Sequence, residues 1–130
     1  MSFLNKIFGS NDNKTIPTTT LKWNELTQIQ QLDTIVNESS ETPVLIFKHS
    51  TRCSISRMAL RSFEQEYEIA EDDLKPYYLN LLEYRNISNE IASRFGVMHQ
   101  SPQILLIKNG KVLHYASHSD IDARTVQSKI

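Results

Sequence analysis

What this chain lacks narrows its chemistry. It holds one cysteine in 130 residues, Cys53, so no internal disulfide can brace the fold, and a reducing cytoplasm suits it better than a secreted scaffold. Fourteen basic residues stand against fifteen acidic ones. That near neutrality leaves no global field to recruit nucleic acid or an anionic membrane, and no basic stripe is present. No G-x-S-x-G elbow surrounds Ser56, which removes it as a serine-hydrolase nucleophile. His114 and His118 share strand parity, but two histidines without a third ligand do not make a metal site, and none is expected.

The length suits one domain with a real core. At the start, Phe3, Leu4, Ile7 and Phe8 follow helical spacing. They are too few for a signal-peptide core or a membrane span, and Asn5 and Lys6 interrupt them. Residues 9–20, with Asn, Asp, Thr and Pro17, read as a linker. The expected organisation is a flexible N-terminal extension over 1–20 and a folded domain over 21–130.

Within that domain Trp23 and Leu26 suggest a short edge strand or an anchor. Thr27 is a candidate N-cap for a helix through Ile29, Leu32, Ile35 and Val36. Val44 to Phe47 is a continuous apolar run of the kind found in a strand covered on both faces. Ile55, Met58, Ala59, Phe63 and Tyr67 recur at helical spacing, predicting a helix that buries them and carries Arg57, Arg61 and Glu64 outward. Tyr77 to Leu82 reads as a strand. Ser88 opens a helix with Ile91, Ala92 and Phe95, and Gly96 is a natural C-cap. Asn109-Gly110 between QILLIK and KVLHYAS is a strong hairpin signal. Ser119 or Asp120 caps a last helix with Ile121, Val126 and Ile130. Strands joined through a helix are parallel and the final pair antiparallel, so an α/β fold follows, with a mixed central sheet flanked by helices on both faces.

Cys53 sits where the strand PVLIFKHS (43–50) meets the second helix. A helix N-terminus presents unpaired backbone N–H groups and a partial positive charge, and both favour a thiolate over a thiol. The neighbours His49, Ser50, Thr51, Arg52, Ser54 and Ser56 are polar, and Arg52 and Arg57 add positive charge. Those surroundings outweigh the ordinary reading of a free cysteine as a small buried hydrophobe. Ser56 stands where a dithiol enzyme carries its second cysteine, so the site is a C-x-x-C without its resolving thiol. Its hydroxyl is expected to donate to the Cys53 sulfur. His49 is expected to bond to backbone or to tune the proton equilibrium of the thiol.

Pro102, in GVMHQSPQILLIKNGK, follows a loop after a helix and stands directly before a core strand. The pattern resembles the thioredoxin fold, which implies a cis Ser101–Pro102 bond beside the cysteine and a backbone edge at Ser101 that docks a disulfide substrate. The bland alternative is a trans proline that begins a strand. More finely, FKHSTRCSIS is similar to the monothiol bacilliredoxins, YtxJ-like proteins of the bacillithiol system, whose motif is close to TCPIS after a KHS-like strand end. The shared residues are Lys48, His49, Ser50, Cys53, Ile55, Ser56 and Pro102. Arg52 before the cysteine and Ser54 in place of the motif's proline depart from it.

The resemblance implies a monothiol thiol–disulfide oxidoreductase. Cys53 and Ser56 form the catalytic pair; Thr51, Arg52, Ser101, Pro102 and His99 contact substrate. It removes a low-molecular-weight thiol such as bacillithiol from protein mixed disulfides, with no tightly bound cofactor. A single cysteine accepts a cap but cannot release it alone, so a second thiol or a thiol reductase must regenerate it. Two alternatives remain open. One is a glutaredoxin-like iron–sulfur cluster carrier, although the CGFS-type sequence is absent; the other is a redox-inactive thioredoxin-like binding module.

Overall fold

The computed structural model describes residues 21–130, and the expected extension over 1–20 lies outside the described residues. The elements, in chain order, are β1 (Asn24–Glu25), α1 (Gln31–Glu38), β2 (Val44–His49), α2 (Ser54–Glu66), β3 (Lys75–Asn80), α3 (Arg85–Phe95), β4 (Gln103–Lys108), β5 (Lys111–Ser117), a 3-10 turn (His118–Asp120) and α4 (Ala123–Ser128). The sheet runs β1-β3-β2-β4-β5. β3 lies parallel to both β1 and β2, whereas β4 is antiparallel to both β2 and β5. This is the mixed sheet with helices on both faces that the alternation of strand and helix patterns requires.

The central strand β2 sets the two layers through its period of two. Val44 and Ile46 join Leu32, Ile35, Ile87 and Ile91, beneath α1 and α3. Leu45 and Phe47 join Phe63, Tyr67, Ala123 and Val126, beneath α2 and α4. All six residues of β2 are buried, and each large aliphatic or aromatic side chain so buried contributes about 1.5–3 kcal/mol. Trp23 anchors the chain entry: its ring lies 5.8 Å from Phe47 and 6.2 Å from Phe63, and its indole N–H donates to Glu64 at 2.7 Å. The edge strand and the anchor expected near Trp23 therefore coexist.

Several boundaries differ from the sequence reading. α1 begins at Gln31 rather than after Thr27, because the Gln31 Oε1 accepts from the backbone N–H of both Thr27 and Gln28 at 2.8 Å and holds them in a preceding turn. That leaves Ile29 37% exposed. α3 starts at Arg85, so Ser88 is a buried residue inside the helix and not its cap. α4 is capped by Asp122, whose carboxylate accepts from the Arg124 N–H at 2.9 Å, and Ser119 and Asp120 fall in the 3-10 turn instead. The hairpin is as expected. Asn109 and Gly110 take φ of 54° and 74°, the two left-handed residues of a type I′ turn. Ser39 at the end of α1 holds that tip, its carbonyl and hydroxyl accepting from the Asn109 and Gly110 N–H groups at 2.8 Å each.

Candidate active site

The site lies at the C-terminal ends of the parallel strands, where ligands bind in open α/β sheets. Cys53 is the N-cap of α2, with φ −103° and ψ 122°, and is half-buried. Its N–H donates to the Ser50 carbonyl at 3.2 Å, and its own carbonyl accepts from Arg57 at 3.0 Å, which begins the helix. The thiol thus stands where the first unpaired N–H groups of α2 converge.

α2 carries a surprise about which face it buries. Ile55 and Met58, expected inside, are 57% and 63% exposed, whereas Ser56 is fully buried with Phe63. The reason is His49. Its side chain points to the α2 layer, 6.5 Å from Phe47 between ring centres, and its Nδ1 lies 2.8 Å from the Ser56 Oγ. The same oxygen accepts from the Ser50 N–H at 3.0 Å. A buried histidine needs a polar partner, and Ser56 supplies it, so the inward stripe of α2 runs through Ser56, Phe63 and Tyr67. Both hydrogen bonds of Ser56 tie the end of β2 to α2; a bond to the Cys53 sulfur, expected from sequence, is not among its contacts, whereas the backbone bond expected of His49 is made, to the backbone of Ser56. Burial pushes the His49 imidazole below its ordinary range, with Glu64 acting in the opposite sense and Arg57 reinforcing the shift.

On the β4 flank, the register places Lys48 opposite Gln103, which brings the Ser101–Pro102 segment beside the chain leaving β2. The Ser101–Pro102 peptide bond is cis. Pro102 is buried, and the Ser101 hydroxyl is buried without a hydrogen-bond partner among the described residues. Met98, in the same loop, is 79% exposed. His99 is exposed, with its Nδ1 3.3 Å from the Ser88 hydroxyl, and burial of its inner atoms, Lys48 and Arg85 together lower its basicity. Lys48 itself is fully buried, donates to the Gln103 Oε1 at 3.1 Å, and is pushed down by burial to about 8. The Gln103 amide in turn donates to the Met98 carbonyl at 3.0 Å, so Lys48 and Gln103 brace the loop that precedes β4.

On the β3 flank, a groove of about 490 Å³ is lined by Thr51, Arg52, Asn80, Leu82, Glu83 and Arg85. Thr51 and Arg52 are exposed, and the Thr51 carbonyl accepts from the Arg57 guanidinium at 3.2 Å. Arg85 and Glu83 were not singled out from sequence. The available signal was topological: a loop leaving a parallel strand next to β2 must open on the same end of the sheet as Cys53. Among the described residues, no group of three or more His, Cys, Asp or Glu side chains could hold a metal ion, and no helix is long and apolar enough to cross a membrane.

A family model for the monothiol bacilliredoxin BrxC matches residues 24–126. The chain belongs to the monothiol bacilliredoxin family. Solved structures agree with that membership. One, described as having a thioredoxin fold and an inferred oxidoreductase role, is 30% identical over 81% of this chain and 90% of its own, with a TM-score of 0.69. A thioredoxin from Malassezia sympodialis shares 18% identity over 88% of this chain and 91% of its own, TM-score 0.66. Mitochondrial thioredoxin 3 from Saccharomyces cerevisiae shares 14% over 82% and 91%, TM-score 0.60. The last two are similar in fold alone. The bacilliredoxin match spans β1 to α4 and so contains Cys53, Ser56 and Pro102 together.

Proposed function

We propose that this bacilliredoxin is a monothiol thiol–disulfide oxidoreductase that takes a low-molecular-weight thiol, bacillithiol in its family, from protein mixed disulfides in a reducing cytoplasm. The observation that carries this reading is the placement of the chain's single thiol. Cys53 is half-buried at the N-cap of a thirteen-residue helix, with Ser56 where a second cysteine would stand. In the reaction, the Cys53 thiolate attacks the cap sulfur of a client–cap disulfide. The S–S bond to the client breaks, the client sulfur leaves as a thiolate and takes a proton from solvent, and a Cys53–cap disulfide forms. That step is an exchange without net reduction. A second low-molecular-weight thiol or a thiol reductase then attacks the Cys53–cap bond and restores the thiolate.

In this chemistry His49 and Ser56 position the cysteine rather than react. Their mutual bond, with the Ser50 N–H on the same oxygen, fixes the turn between β2 and α2 that aims the sulfur. The buried hydroxyl of Ser101 and the backbone beside it lie on the flank where a client strand would dock. The test is intact-mass measurement after exposure to bacillithiol disulfide and, separately, glutathione disulfide, followed by decapping of a client protein. A mass increase of one cap at Cys53 and its loss on adding a second thiol are expected. A protein that takes up neither cap would overturn the reading in favour of a redox-inactive module.

A further inference from the structure

We propose that Lys48, acting through Gln103, is a positioning residue for client docking: it fixes the backbone of the loop over residues 97–102 on the flank of Cys53 where a client strand would pair. This rests on the exchange reaction proposed above and adds a residue that the reaction does not itself use. By strand parity Lys48 continues the stripe of Val44 and Ile46, whose side chains fill the layer beneath α1 and α3. An apolar side chain would serve the core there, yet the position holds a fully buried ammonium. Lysine is almost never buried without an acid, and among the described residues Lys48 makes no ion pair. Its partner is an amide.

Gln103, opposite Lys48 in the register of β2 and β4 and 1% exposed, gives that burial a direction. An ammonium only donates, and a carbonyl only accepts. Lys48 donates to the Gln103 Oε1 at 3.1 Å, which turns the amide nitrogen to the Met98 carbonyl at 3.0 Å and the Ser117 hydroxyl at 3.4 Å. The reversed amide would set donor against donor at Lys48 and acceptor against acceptor at Met98. A charge-assisted bond on the oxygen also polarises the amide and strengthens donation from its nitrogen. The cation thus reaches the loop backbone without touching it. At the far end of the same segment the His118 N–H donates to the Pro102 carbonyl at 3.1 Å, so the backbone of Ser101 lies between two tethers, and Lys48 governs the one at Met98.

The experiment gives the full-length protein two cap donors: an extended peptide whose central cysteine is capped by 2-mercaptoethanol, and bis(2-hydroxyethyl) disulfide, which has no backbone to dock. Both leave the same adduct on Cys53, read by intact mass. Lys48→Met should raise the half-saturating peptide concentration about tenfold, the scale of one hydrogen bond to a charged group, with the maximal rate and the small-disulfide rate within about twofold of wild type. Gln103→Leu should match it, and the double variant should be no worse than either single one, because the two residues act in series. Gln103→Glu separates positioning from support of the fold. Its carboxylate gives Lys48 an acid and should hold or raise the denaturant midpoint, but it has no N–H for the Met98 carbonyl, so peptide docking should weaken as in Gln103→Leu. Wild-type half-saturation in Lys48→Met, additive losses in the double variant, normal docking in Gln103→Glu, or equal slowing with both donors would each overturn the proposal while leaving exchange at Cys53 intact. Transfer from neither donor to the wild type would overturn the exchange reaction itself.

Discussion

The two ends of the central sheet treat charge in opposite ways. At the N-terminal ends of the parallel strands a hollow of about 520 Å³ is lined by Lys22, Glu38, Glu71, Lys75 and their neighbours. Both of its lysines are already paired: Lys22 with Glu71 at 3.9 Å, and Lys75 with Glu38, which also accepts from the Tyr77 hydroxyl at 2.9 Å. At the C-terminal ends a groove of similar size holds Arg85 and Arg52, the residue that precedes Cys53 in the chain. Size does not separate these hollows, and the first is the larger. Pairing does. The lysines of the first hollow meet a partner within the chain, whereas Arg52 and Arg85 meet none among the described residues.

The largest effect that sharpens the contrast is at the nucleophile itself. Cys53→Ser should abolish cap transfer entirely, because the chain has no other thiol. The measurement is loss of the cap from a client by intact mass, and any residual transfer by the variant would detach the chemistry from this end of the sheet.

Lys48 is a cation at the same end that is neither exposed nor paired with an acid. Burial lowers it from 10.5 to about 8, so between those pH values the unfolded chain holds a proton that the folded chain does not. Stability should therefore rise as pH increases from about 8 to 10.5, and the cost of the buried charge is fully present below pH 8. The amplitude is at most roughly 3 kcal/mol. Lys48→Met, followed by urea denaturation across pH 7 to 11, should flatten that rise. An unchanged slope would show that the ammonium keeps its hydration.

Ser56→Ala should act on both stability and rate. It strips the buried His49 Nδ1 of its partner, at about 1–3 kcal/mol, and loosens the turn that aims Cys53, so transfer should slow several-fold without stopping. His49 also gives an acid limb: its folded-state basicity is depressed, so the unfolded chain binds the proton first, and stability should fall as pH drops through 6.5. Denaturation at pH 5 and 7 compares the two proteins. Wild-type rate and stability in Ser56→Ala would remove the clamp from the account.

The same residues show what was readable from sequence and what was not. Strands β4 and β5 and the Asn109-Gly110 turn between them were legible to the residue, because alternation and turn chemistry are local. The placement of Cys53 at the start of α2 was legible from its position between an apolar run and an amphipathic helix. The inward face of α2 was not. Hydrophobicity places Ile55 and Met58 inside, yet a histidine two strand positions beyond Phe47 requires a hydroxyl opposite it, and that demand arises only when β2 and α2 are packed together. The start of α1 failed for a similar reason, since Gln31 caps its own preceding turn with a side chain that propensity cannot foresee. Arg85 was invisible because its place beside Arg52 depends on β3 lying next to β2.

The smallest effect tests the comparison most directly, because it sets the two ends against each other in two assays. Glu38→Gln removes the carboxylate that Lys75 and Tyr77 share. The Lys75 and Glu38 side chains are 39% and 28% exposed, so solvent screening limits the loss of the ion pair to about 1 kcal/mol, and the glutamine amide oxygen can still accept from the buried Tyr77 hydroxyl. Cap transfer to Cys53 at the other end should not change. Arg85→Gln should do the reverse, staying within about 0.5 kcal/mol of wild-type stability, as exposed substitutions without a partner do, while slowing cap transfer to Cys53, since it removes one of the two guanidiniums of the groove. Denaturant midpoints and cap-transfer rates on the same two preparations give four numbers. If Arg85→Gln cost as much stability as Glu38→Gln, its guanidinium would have a structural partner after all, and the division of labour between the two ends would collapse.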